Sequence, residues 1–470
     1  MLQIARSFRA QGGMKCCVRP GMKLQSVQVL RGVAALLVVL YHTRAHETRG
    51  IVHNGGGELA WLGGIVTNGF AGVDLFFVIS GFIMVAVTYE LKPGIQTALN
   101  FVFRRLTRVY PVWWLFAGIT TVGLLGYFQL GNMVETLQVT SRPEPDWIYI
   151  IKSFLLIPQE KEPVLVVGWT LIHEVYFYLA FSLVLLLRRS WWPYALLGWG
   201  AAVIAGWMSG LSGPIVTDFL SLFFSPMTME FLFGAATAML VASGVAWRGG
   251  IVMLVATLWM VAFLCLQGPQ TDYTLQWGRV MMFGLPSAAL IYGLVTLELE
   301  DRLAWLVPAG VGALLTIAVF QLYGLGETAP LSVRVNATIV AVLVGGLGTL
   351  ATFWTGWLAG QTRPRSVRAL FPALRKILAA MVRLGDASYS LYLVHTIVIV
   401  ALRVLFGRLG DIPVLAPVFQ LGHPGLLDNV AFALACVTGS IIASLLSYTY
   451  FERPMGALFR KSRSTVQNAS

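Results

Sequence analysis

The sequence predicts an all-α polytopic integral membrane protein of about twelve transmembrane helices, with both termini on the cytoplasmic side. Three observations carry this. Of 470 residues, 57% are hydrophobic and 11% charged, whereas soluble domains carry about a quarter charged residues. The apolar residues gather into runs long enough to cross a bilayer, where only helices satisfy every backbone polar group within one run. The basic residues sit in short segments between the runs. With the N-terminus inside, 23 of the 33 Lys and Arg fall in cytoplasmic segments and 8 outside, the bias that sets orientation. That placement also argues against reading the net charge of +12 as a nucleic-acid surface.

The apolar runs fall at roughly 24–43, 70–89, 110–130, 167–187, 193–209, 217–243, 250–266, 280–297, 303–322, 335–358, 388–406 and 428–450, with Pro226 interrupting the sixth. Residues 1–23 form a basic, polar cytoplasmic extension without an apolar core, so no cleaved signal peptide is expected, and Met22 offers an alternative start. Residues 24–455 are the transmembrane domain and 456–470 a short polar cytoplasmic tail. The longest outward loop, about 131–166, is acidic and proline-bearing, either a substrate contact or a plain surface loop. Cys16, Cys17, Cys265 and Cys436 show no metal spacing and no disulfide framework.

The first span carries Arg31 and His42. Eleven residues separate them, about 16 Å along one helix face, and ionisable groups inside a membrane helix tend to mark a pathway or a reaction site. His42 falls near the outer end. The second span opens Gly72-Val73-Asp74-Leu75-Phe76-Phe77-Val78-Ile79-Ser80-Gly81-Phe82, where Ser80 and Gly81 suit close helix contact and Asp74 is either a helix cap or a site residue. Arg104-Arg105-Leu106-Thr107-Arg108 precedes the third span as membrane anchors or as clamps for phosphate groups. The fourth span begins outside at Gly168, which places Glu174 within about two turns of the outer surface, with Tyr178 on its face. At that depth Glu174 and His42 could meet, either as a base with its orienting partner or as a packing ion pair. In the eleventh span Ser388, Ser390 and His395 lie on a polar face; His395 reads better as a packed core histidine than as a second base. Phe451-Glu452-Arg453-Pro454 reads as a structural cap.

Taken together, these pieces resemble membrane-bound acyltransferase family 3, and in particular its exopolysaccharide O-acetyltransferase branch. The matching motifs are Leu30-Arg31-Gly32 with Tyr41-His42, the Gly72–Phe82 string, Arg105-Leu106-Thr107-Arg108-Val109-Tyr110-Pro111, Trp169-Thr170-Leu171 with Glu174 and Phe177-Tyr178, Phe231-Leu232-Phe233-Gly234, Leu384-Gly385-Asp386-Ala387-Ser388-Tyr389-Ser390-Leu391-Tyr392 with His395, and Phe451-Glu452-Arg453-Pro454. They stand in family order over about 24–300 and 384–455. The resemblance implies a bundle of ten helices, here with an inserted transmembrane hairpin at about 301–370. It implies an enzyme of the bacterial inner membrane that transfers an acyl group, usually acetyl, from acetyl-coenzyme A or another acyl-coenzyme A to a hydroxyl of a cell-surface glycan, exopolysaccharide or lipid-linked precursor. His42, Glu174 and Arg31 would be catalytic and Arg105 and Arg108 would hold the donor; beside them, Asp74, Tyr178, Ser390 and His395 are candidates for substrate-binding or supporting residues. No metal and no nucleic acid are implied; a homo-oligomer is open. The competing class is a transporter or flippase of a polar solute that uses Arg31, His42 and Glu174 as a proton relay, against which no internal repeat is visible.

Overall fold

The computed structural model describes residues 24–56, 64–129, 146–212, 216–245, 247–266, 276–302, 305–323, 331–358, 372–423 and 427–459. The basic extension 1–23 and the tail beyond 459 lie outside them. Among the described residues the regular elements are all helical. The main helices are α1 (Gln25–His53), α2 (Ala71–Thr88), α3 (Ile95–Gln129), α4 (Trp147–Leu155), α5 (Gly168–Val184), α6 (Trp192–Met208), α7 (Thr228–Ala242) and α8 (Gly249–Leu266). There follow α9 (Trp277–Leu299), α10 (Leu306–Tyr323), α11 (Leu331–Leu358), α12 (Pro372–Asp386), α13 (Ser388–Gly410) and α14 (Leu427–Ser447).

Nine helices among the described residues are long and apolar enough to cross a membrane by length and composition, which makes the chain a multi-pass membrane protein. Of the twelve runs expected to span, nine are helices of that length among the described residues. The runs at 167–187, 193–209 and 250–266 are apolar helices of 17, 17 and 18 residues, the first two rising about 25 Å, at the short end of the lengths that cross a bilayer. Arg104, Arg105 and Arg108 belong to the same continuous helix as the third apolar run, in its N-terminal half. Helix α3 runs unbroken for 35 residues through Pro111.

The segment expected to be an outward loop supplies the reason α5 is short. Helix α4 folds back along α3: the Trp113 Nε1–H donates to the Ser153 carbonyl at 3.2 Å, the Trp114 Nε1–H to Phe154 at 3.0 Å and the Tyr110 hydroxyl to Leu155 at 2.9 Å. Its non-helical continuation is satisfied by buried Ser153, whose hydroxyl accepts from the Val164 N–H at 3.2 Å and from Gln159 at 3.0 Å, as irregular backbone within a membrane bundle requires. Helix α5 therefore starts inside the bundle, with Gly168 set against the Trp113 indole so closely that a Cβ would collide with it.

Glycine contacts hold the central helices together. A Cβ on Gly81 of α2 would strike the Phe231 carbonyl, and one on Gly234 of α7 would strike the Val78 carbonyl, so these two helices meet backbone to backbone. The N-terminus of α1 is held by Glu298 of α9, whose carboxylate accepts from the Gln25 N–H at 2.8 Å and the Ser26 N–H at 2.9 Å, an acceptor placed where orphan helix donors and the dipole favour it. Helices α10 and α11 pair with one another and pack on α8. Thr316 and Thr349 seal that hairpin by donating to the Ala341 carbonyl at 3.3 Å and the Pro308 carbonyl at 3.2 Å.

Candidate active site

Helices α2, α3, α5 and α13, with Arg31 of α1, line a cavity of about 70 Å³. On α2 its wall runs from Val73 to Met84, eleven residues and so about 16 Å end to end. One end is cationic. Arg105 lies with its guanidinium carbon 5.4 Å from the Phe101 ring centroid and 5.7 Å from that of Tyr178, while Arg108 is exposed at the mouth. Among the described residues neither guanidinium donates to a protein acceptor, so their fork of N–H groups is free for an anionic ligand. Arg31 is buried and donates to Gln28 on its own helix at 3.1 Å. Its charged neighbours are Arg108, Glu452, Glu174 and Asp386.

Glu174 faces this cavity. Its carboxylate accepts from the Ser80 hydroxyl at 3.0 Å and from the Tyr178 hydroxyl. The pairing of Glu174 with His42 expected from the sequence does not occur. That expectation set Gly168 at the outer surface; because α5 begins at the level of Trp113, Glu174 is carried to the arginine end. Ser80, expected only to pack, is a partner of Glu174.

His42 has another partner. Its Nδ1 lies 3.0 Å from the Val38 carbonyl, and the Nδ1 of buried His395 lies 3.2 Å from the Leu391 carbonyl. A carbonyl only accepts, so each neutral ring carries its proton on Nδ1. The His395 Nε2, 3.2 Å from the His42 Nδ1, is then an acceptor, and the His42 N–H is shared between Val38 and His395. This arrangement leaves the His42 Nε2 with a free lone pair, the form a general base needs. Tyr41 braces the ring edge-on at a centroid distance of 5.0 Å and itself rests on Phe70 at 5.7 Å.

The remaining predicted residues fall outside this pair and the cavity. Asp74 does not cap α2, whose N-cap position is Phe70. It makes a two-point ion pair with Arg279 of α9, at 3.2 Å from Nε and 2.8 Å from the second nitrogen, and Arg279 also lies 4.9 Å from the Phe70 centroid. Ser390 donates to Glu452 at 2.6 Å, behind the cavity. Sequence reasoning missed Arg279, the fully buried Glu230 next to it, and Glu452. A lone Arg at the mouth of an apolar run opposite a lone Asp was the available signal for the first. Glu452 stood inside a motif read as a cap, yet its charged neighbours are Arg108 and Arg31.

Comparison with known proteins bears on this geometry. Residues 24–306 match the family described as an acyltransferase domain. The chain is 30% identical over 311 residues to the exopolysaccharide production protein ExoZ of Rhizobium meliloti (strain 1021), spanning 63% of this chain and 85% of that one. It is 27% identical over 461 residues to the acyltransferase MdmB of Streptomyces mycarofaciens, spanning 94% of both. A protein of Staphylococcus aureus (strain COL) named for O-acetyltransferase activity matches at 27% over 185 residues, 37% of this chain and 28% of that one. No solved structure gives a significant match.

Proposed function

The chain belongs to this acyltransferase family, and on that premise we propose that it moves an acetyl group from acetyl-coenzyme A to a hydroxyl of an exopolysaccharide or its lipid-linked precursor in the bacterial inner membrane. The observation that carries the proposal is the cavity whose cationic mouth holds Arg105 and Arg108 with unspent donors. Paired N–H groups of this kind suit the phosphates of a nucleotide-like donor. The cavity gives the thioester arm a path inward past Arg31 and Glu174.

In this reading the acceptor approaches from the His42 side. The His42 Nε2 takes the proton of the acceptor hydroxyl as its oxygen bonds to the thioester carbonyl carbon. The carbon–sulfur bond breaks, and the leaving thiolate takes a proton to become free coenzyme A. A thioester is already activated, so positioning and proton removal suffice. His395 is a positioning residue that fixes the tautomer of His42. Glu174 holds Tyr178 and balances the guanidinium charge instead of orienting the imidazole. The transporter alternative needs Arg31, His42 and Glu174 in one relay, and His42 is partnered elsewhere.

The test is turnover. Protein purified into nanodiscs should release coenzyme A thiol from acetyl-coenzyme A and, with exopolysaccharide present, leave alkali-labile acetyl on the polymer. Polymer translocation without thiol release would favour the transport reading instead.

A further inference from the structure

The cavity stops short of His42. Neither His42 nor His395 lines it, and what stands between is an aromatic pair. Phe76 of α2 meets Tyr392 of α13 edge-on, with centroids 5.9 Å apart and planes at 73°. On its other side the Tyr392 ring lies 6.0 Å from that of His395. Both rings of the pair also line the cavity, so the pair is a shared wall between the cationic chamber and the two histidines.

The two halves of this wall are held differently. The Tyr392 hydroxyl accepts from the Thr170 hydroxyl at 2.9 Å and donates to the Val167 carbonyl at 3.3 Å, which ties the ring to the start of α5. Phe76 is half-buried and has no polar tie, so it turns without breaking a hydrogen bond. Around them the wall is apolar, with Val73, Phe77 and Leu171. On the acyltransferase reading, an acyl group passed from the arginine end toward His42 through this wall goes between a fixed post and a movable leaf.

We infer that the Phe76–Tyr392 pair is the acyl-length filter of the donor channel, admitting acetyl-sized groups to His42 and holding back longer chains. The inference rests on the acyltransferase reading above. It gives Phe76 the role of a specificity-determining residue and Tyr392 that of its fixed counterpart. A hydrophobic pocket discriminates single methylenes by about 10- to 200-fold, so a closed aromatic wall is sufficient for strong selection against chains several methylenes longer.

The experiment measures thiol release from acetyl-, butyryl- and hexanoyl-coenzyme A by the full chain in nanodiscs, for wild type, Phe76→Leu, Phe76→Ala and Tyr392→Phe. Wild type should favour acetyl over hexanoyl by about a hundredfold or more in kcat/KM. Phe76→Leu should raise the hexanoyl-to-acetyl ratio by about tenfold and Phe76→Ala by more. Tyr392→Phe, which keeps the ring and cuts the tether, should move the ratio in the same direction by less. Size-exclusion profiles check folding, and Phe76→Leu carries the test if the alanine variant fails to fold. A wild type that uses hexanoyl as readily as acetyl, or folded Phe76 variants with an unchanged ratio, would overturn the filter and leave the acyltransferase reading standing. No thiol release from any of the three by folded wild type would overturn that reading, and the filter with it.

Discussion

At Arg105 and Arg108 the side chains line the cavity mouth with donors unspent, and kinetics separate donor binding from membrane anchoring. Replacing both with Gln should raise the KM for acetyl-coenzyme A by about tenfold or more. Lysine should be intermediate, since it keeps the charge and loses the fork. Steady-state kinetics normalised to folded protein check this, and full rescue by lysine would return the pair to anchoring. His395 calls for a different signature. Because it touches His42 and does not line the donor cavity, His395→Ala should lower kcat and leave the donor KM close to wild type, and His395→Gln should recover part of the loss by again offering an acceptor to the His42 N–H. Equal effects on kcat and donor KM would contradict the positioning role. The charged members of both sites stood out in the sequence because charge inside an apolar run is conspicuous. Phe76 and Tyr392 did not, because an aromatic in a membrane helix looks like any other packing residue. Asp74 was seen, but its partner Arg279 lies 205 positions away, and the one signal for it, a lone Arg at the mouth of an apolar run, does not say which acid it meets.

Among the elements, the twelve apolar runs were legible as helices, but their lengths and depths were not. Hydropathy placed Gly168 at a membrane surface; the Trp113 contact and the fold-back of α4 place it within the bundle. That one displacement separated Glu174 from His42. Sequence could not reveal it, because α4 is held to α3 by side-chain hydrogen bonds to the carbonyls of Ser153, Phe154 and Leu155, which leave no periodic pattern. The α2–α7 contact was legible in part, through Gly81. Gly81→Leu should drive a side chain into the Phe231 carbonyl and destabilise the bundle by roughly 2–3 kcal/mol, read as a lower melting temperature and yield. Gly310→Leu on α10, where an added Cβ meets nothing within 4 Å, should melt like wild type. Equal behaviour of the two variants would contradict the packing argument.

For the whole molecule, the charge bias predicts sidedness. A cysteine replacing exposed Glu160 should react with an impermeant maleimide in intact cells, and one replacing exposed Arg189 should react only after permeabilisation. The reverse pattern would invert the orientation and place Arg105 and Arg108 away from cytoplasmic donors. The central claim is a division of labour along the bundle, with the donor held at the arginine end and the proton removed at the histidine end. Its most direct measurement is acetyl-coenzyme A binding and turnover by the same nanodisc preparations of wild type and His42→Ala. Loss of a general base costs about 10²- to 10⁴-fold in rate, so His42→Ala should lose acetyl transfer by at least about a hundredfold while its dissociation constant for acetyl-coenzyme A stays within about twofold of wild type. Retained transfer in folded His42→Ala, or donor binding lost together with transfer, would contradict the account.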